Sequence, residues 1–135
     1  MAEISVYTPE TMPRTTSPYL QVARAKASEY LFIAGQVAVD AAGNLIGDGD
    51  ISAQCERVYG NIELALKSAG AGWKNVVDFT SYLVRAEDIA PFKAYRSRVF
   101  PIMFVDGAYP PSTLLIVSGL ASPKFLIEIK ATAAL

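Results

Sequence analysis

Glu128 is the only carboxylate in the apolar run Leu126-Ile127-Glu128-Ile129-Lys130. A charge held in a half-buried strand costs free energy unless it meets a partner, a water or a substrate, which makes Glu128 the first candidate for chemistry. Suitably placed, a carboxylate moves a proton to or from a reacting water or amine. The alternative is a solvated ion pair with Lys130, two residues on and so on the same strand face. Tyr19 is the second residue of interest, because Pro18 holds it at a loop-to-strand junction, where it also serves as an aromatic plug over a sheet edge. Gly35 is the third: inside a strand-like run it marks either a bulge or a place where a ligand comes close to the backbone.

An absence narrows the chemistry further. The chain has no histidine, which removes Ser-His-Asp and Cys-His catalysis, histidine metal sites and the imidazole pair of metal-independent ribonucleases. Carboxylate, hydroxyl, lysine, backbone amide and water remain. The single cysteine, Cys55, cannot form an internal disulfide and falls on the apolar stripe of a helix, so it reads as core.

These residues need elements to hold them. Residues 3–8 alternate Ile4 and Val6 with polar neighbours, the pattern of a short edge strand, and 15–19 read as a turn. Residues 20–27 and 30–37, separated by Ser28-Glu29, have the form of a hairpin. A Gly/Asn/Asp-rich loop over 40–50 leads into a helix on which Ile51, Cys55, Val58, Ile62, Ala65, Leu66 and Ala69 share one face. Gln54, Glu56, Arg57, Asn61, Glu63 and Lys67 fill the other, and Gly70 and Gly72 end it. Residues 76–84 carry few charges on either face and suit a central strand. A second helix spans 88–100, with Pro91 in its first turn, with Ile89, Phe92, Tyr95 or Arg96, and Val99 spaced toward the sheet, and with Lys93, Arg96 and Arg98 most simply its solvated face. The apolar stretch 100–108 is a loop that a pocket or a neighbouring subunit should cover. Residues 109–117 and 126–130 are the last two strands.

That order predicts an α+β fold, with two helices on one face of a mixed sheet and the other, equally apolar, face covered by another subunit. At 135 residues the chain, 1–135, makes one domain; 52% hydrophobic residues exceed what one small core buries and point to an oligomer. A net charge of −1 offers no field for phosphate backbones, so nucleic acid is a poor partner. The amino end is acidic and polar and no apolar run approaches a membrane span, which predicts a cytoplasmic protein.

Taken in order, several segments resemble the Rid family, also called the YjgF or liver perchloric-acid-soluble protein family. They are Ser17-Pro18-Tyr19, Leu31-Phe32-Ile33-Ala34-Gly35-Gln36-Val37, the helix closing on Ala69-Gly70, the strand 76–84, Tyr109-Pro110-Pro111 and Ile127-Glu128-Ile129-Lys130-Ala131. The resemblance implies a chorismate-mutase-like homotrimer with clefts between subunits, needing neither cofactor nor metal. For the best-understood branch it implies hydrolysis of 2-aminoacrylate-type enamines and imines to 2-oxo acids and ammonia. Tyr19, Gly35 and Glu128 match that branch. Ala34 replaces its hydroxyl residue, and Lys93 lies where it places a polar residue reaching across the subunit boundary.

One departure bears on the substrate. The branch carries an arginine at the position of Ser112, where a guanidinium grips the substrate carboxylate through two parallel hydrogen bonds. Losing such a contact costs on the order of 2–5 kcal/mol of binding. The resemblance therefore implies a catalytic Glu128 assisted by Tyr19. Gly35, Leu114 and the Ser112 and Thr113 hydroxyls would hold a less strongly anionic small molecule, with Lys93 or Lys130 as a substitute charge. A trimer that binds a metabolite without turning it over is the alternative, and RNA cleavage a third.

Overall fold

The computed structural model describes all of residues 1–135. Strands β1 (Glu3–Tyr7) and β2 (Val22–Lys26) pair antiparallel, with Glu3 opposite Lys26 and Ile4 opposite Ala25. The expected hairpin between 20–27 and 30–37 is therefore not formed. Instead β3 (Tyr30–Gln36) pairs antiparallel with the last strand, β6 (Ile127–Ala134), and the turn at Ser28 and Glu29 is held by the carbonyl of Leu135. Strand alternation specifies which residues share a face but not which strand lies alongside, so the partner was open to either choice.

Helix α1 (Ile51–Ser68) starts where Asp50 accepts a hydrogen bond from the Ala53 amide at 3.1 Å. It stops where Gly70 takes a left-handed φ of 70° that a side chain would strain. Its apolar stripe is buried as the spacing predicts, with one correction: Gln54 belongs to the interior and not to the polar face. Its amide donates to the carbonyls of Gly47 and Lys124, both at 3.0 Å, and accepts from the Leu126 amide at 2.9 Å. One side chain thus ties the loop before α1 to the approach of β6, and burial is compensated because every polar atom is engaged.

Strand β4 (Val76–Leu83) lies at the centre, antiparallel to β6 and parallel to β5 (Ser112–Ile116), giving the order β3-β6-β4-β5. The parallel pair requires a crossover, supplied by α2 (Ile89–Met103). This helix runs one turn further than the sequence suggests, through Pro101, so residues 100–103 are helical rather than loop. Phe100 and Phe104 are buried in the chain's own core with Tyr59, Trp73 and Phe79, whereas Ile102 and Val105 are exposed. The strand expected over 109–117 is confined to Ser112–Ile116, since Pro110 and Pro111 have no amide to contribute. β6 outruns its expected end by four residues, through Ala134.

Both helices pack on one face of the sheet. Ile127, Ile129, Ala131 and Ala133 of β6 point to them, and Glu128, Lys130 and Thr132 point the other way. That open face also carries Tyr30 and Phe32 of β3, whose rings lie 6.4 Å apart, and Leu115 of β5. Phe32 is 80% exposed. No helix is long and apolar enough to cross a membrane.

Candidate functional site

The pairing of β3 with β6 places Glu128 over glycine. Ile33 lies opposite Ala131 and Gln36 opposite Ile129, so β3 holds one more residue than β6 across this interval, which is a bulge. Ala34 and Gly35 form it. A methyl group built on Gly35 would lie 2.2 Å from Glu128 Oε2 and 2.7 Å from its Cδ, so the carboxylate rests directly on the Gly35 backbone. Across β6, Glu128 faces Tyr82. None of the chain's ion pairs includes Glu128 or Lys130, so the solvated Glu128–Lys130 pair is not formed. The Ala34 carbonyl accepts from the Gln36 side chain at 3.0 Å.

A second group gathers at the start of β5. The Tyr19 amide donates to Ser17 at 2.8 Å, and the Thr15 hydroxyl donates to the Tyr19 carbonyl, which sets the tyrosine beside β4 and β5. There Tyr19, Asp78, Thr80, Ser112 and Thr113 line a cavity of about 190 Å³.

Beneath it lies a residue that the spacing offered to either face of α2 and that reads most simply as solvated. Arg96 of α2 is only 3% exposed, and its Nη1 donates to Ser112 Oγ at 3.2 Å. Its guanidinium lies 4.6 Å from the centre of the Phe92 ring and 5.9 Å from that of Phe100. Its Nε has no hydrogen-bond partner, and no carboxylate pairs with it. Burial pushes the guanidinium pKa down, opposed by Tyr59, Tyr19 and Cys55, none of them a carboxylate. The signal was present in the spacing, because Arg96 stands four residues from both Phe92 and Phe100 and so shares their buried stripe.

The two groups are separate within one chain. Ser112 is level with Phe79 on β4, whereas Glu128 is level with Tyr82, three residues further along, or about 10 Å. Their side chains also leave opposite faces of the sheet. Leu114 is half-buried against the core, and Lys93 is exposed on α2 without an ion pair. Cys55 is fully buried, and burial pushes its thiol up to about 12, which leaves it an inert core residue. No cluster of three or more His, Cys, Asp or Glu side chains is arranged to hold a metal ion. A groove of about 830 Å³ between α1 and α2 contains none of the candidate residues.

Comparison with known proteins agrees with this architecture. The family profile described as Endoribonuclease L-PSP matches residues 9–135. A RutC family protein of Pyrococcus abyssi is 32% identical over 133 residues, covering 98% of each chain. A RutC family protein of Synechocystis is 32% identical over 124 residues, covering 91% of this chain and 90% of that one. Among solved structures, the Rid-family protein of unknown function YyfB from Yersinia pestis is 35% identical, covers 98% of each chain and superposes with a TM-score of 0.86. RidA from an Antarctic Psychrobacter, 23% identical with a TM-score of 0.67 over 97% of this chain and 99% of that one, shares the fold.

Proposed function

Because the chain belongs to the Rid/YjgF family, we propose that it is a hydrolase of small reactive enamines and imines, with Glu128 as its proton-transferring group. The observation that carries this is the Glu128 carboxylate seated on Gly35, free of any ion pair. A carboxylate placed beside a reacting water can move a proton to or from it. In the reaction an enamine first takes a proton on carbon and gives one up from nitrogen, becoming the imine. Water then adds to the C=N carbon as Glu128 removes its proton. Glu128 passes that proton to nitrogen to give the carbinolamine, then takes the hydroxyl proton and delivers it to the amine, so that the C–N bond breaks, ammonia leaves and the carbonyl forms. Tyr19, Ser112 and Thr113 would hold the substrate from a neighbouring copy, because one chain does not bring them to Glu128.

The assembly required is a homotrimer, and the exposed apolar side of the sheet supports it. Replacing Phe32 by Glu is expected to reduce the molar mass in solution from three protomers to one, as measured by light scattering after gel filtration. A wild type of one protomer, or a variant that keeps three, would remove this face from the assembly.

The test of the activity is ammonia release from freshly generated imines, compared across carboxylate-bearing and neutral substrates. Turnover supports hydrolysis. Binding without turnover supports the second reading, a metabolite-binding trimer, which Ser112 in the arginine's place favours. RNA cleavage is disfavoured by the net charge of −1 and the lack of histidine.

Gly35 offers an independent check on geometry. Gly35→Ala should push the Glu128 carboxylate off the bulge while leaving a foldable backbone, because the clash is with the end of a side chain. Displacement of about 1 Å lowers turnover by about 100-fold in well-aligned sites. Ammonia release should therefore fall steeply with little change in melting temperature, and unchanged kinetics would place the reacting water elsewhere.

A further inference from the structure

We propose that Arg96, acting through the Ser112 hydroxyl, makes the cavity between Tyr19 and β5 a binding site for a small, singly charged carboxylate. This goes beyond hydrolysis, since the anion is recognised whether or not it is then turned over. It also reverses the expectation that Ser112 implies a less anionic ligand.

The inference begins with a charge that the chain does not compensate. A buried guanidinium is normally matched by a carboxylate, because an uncompensated interior charge is strongly destabilising. Arg96 has the faces of two phenylalanine rings, one serine hydroxyl and an orphaned Nε. An unsatisfied buried polar group in a folded protein calls for an explanation, and a missing anion is one.

The hydroxyl provides the link. Ser112 Oγ accepts from Arg96 Nη1, which leaves the Ser112 O–H free to donate. A hydroxyl whose oxygen already accepts from a cation is a stronger donor than one in water. Ser112 also lines the cavity, so this donor is at hand for a molecule inside it. The guanidinium itself need not reach the ligand, because its buried charge lies one hydroxyl away and is screened less than a charge in bulk water.

Two further features limit the ligand. At about 190 Å³ the cavity is smaller than the roughly 300–1,000 Å³ of pockets for drug-sized ligands, which suits a small acid. Asp78 lines the same cavity from a solvent-exposed position and opposes a second negative charge. One carboxylate is the match.

Arg96 is thus a positioning residue, and its test separates charge recognition from folding. Pyruvate and its neutral amide, pyruvamide, are titrated against the intact protein by NMR chemical-shift perturbation. Wild type should bind pyruvate at least about 10-fold tighter, the span of a charge-assisted hydrogen bond. Arg96→Gln should bring the two ligands to equal affinity, and Arg96→Lys should restore part of the preference. Ser112→Ala, which keeps the backbone and the Arg96 charge and removes only the bridging hydroxyl, should weaken pyruvate and leave pyruvamide nearly unchanged. This variant decides the matter if Arg96→Gln fails to fold. Equal affinities in wild type, no binding of either ligand, or a preference that survives Ser112→Ala would overturn the proposal. Since none of these titrations involves turnover, their failure is distinct from failure of the hydrolase reading.

Discussion

Glu128→Gln is expected to leave a folded protein whose ammonia release from imines is lower by about 100- to 10,000-fold, the range that a positioned acid or base contributes. Glutamine has the same shape and still fits over Gly35, but it cannot accept and return a proton. Because Glu128 has no ion-pair partner, its neutralisation breaks no bridge, and the melting temperature should stay level or rise slightly. Lys130→Ala serves as the control. It removes the neighbouring charge on the same sheet face: turnover nearly intact leaves Glu128 alone as the acting group, and a raised KM at unchanged kcat would give Lys130 the substitute charge. Stopped-time ammonia assays with circular dichroism on each variant provide the measurement. A Glu128→Gln enzyme keeping more than about a tenth of the rate would end the assignment of Glu128 as the proton carrier.

Phe79→Ala should have the largest effect on stability, with a loss of about 3–5 kcal/mol. Phe79 sits on the central strand at 2% exposure, where its ring meets Phe100 at 5.8 Å, Tyr59 at 6.0 Å, Phe104 at 6.1 Å and Trp73 at 6.4 Å between centres. Truncation removes the buried ring and its edge-to-face contacts, and four aromatic neighbours held on α1, on α2 and on the segments that follow each cannot all close the gap. Against a total stability of about 5–15 kcal/mol this brings the fold near its limit. Urea unfolding should be followed at fixed protomer concentration, because association contributes to apparent stability. A loss under about 1 kcal/mol would mean that the aromatic cluster is not what holds the helices to the sheet.

The site divides into what residue type reveals and what only neighbours reveal. Glu128 was visible because one charge stood in an apolar strand, and Gly35 because a strand lacked a side chain. Their contact was not visible, because the bulge that brings them together depends on β3 lying beside β6, residues about a hundred apart in the chain. Arg96 was misplaced for a different reason. Charged residues are so seldom buried that its type outweighed the four-residue spacing from Phe92 and Phe100, which put it on the inner stripe. Gln54 was misplaced likewise: only the folded chain provides the two carbonyls and one amide that make its burial tolerable.

The sequence by itself determined the order of strands and helices, the apolar stripes, the helix caps and the exclusion of histidine chemistry, because these follow from residue type and periodicity along the chain. The tertiary structure alone decided that β2 pairs with β1, that β4 lies between β5 and β6, and that a buried arginine stands under Ser112. Pairing and burial are set by contacts between residues distant in sequence, and no local pattern encodes which distant partner will meet a given side chain.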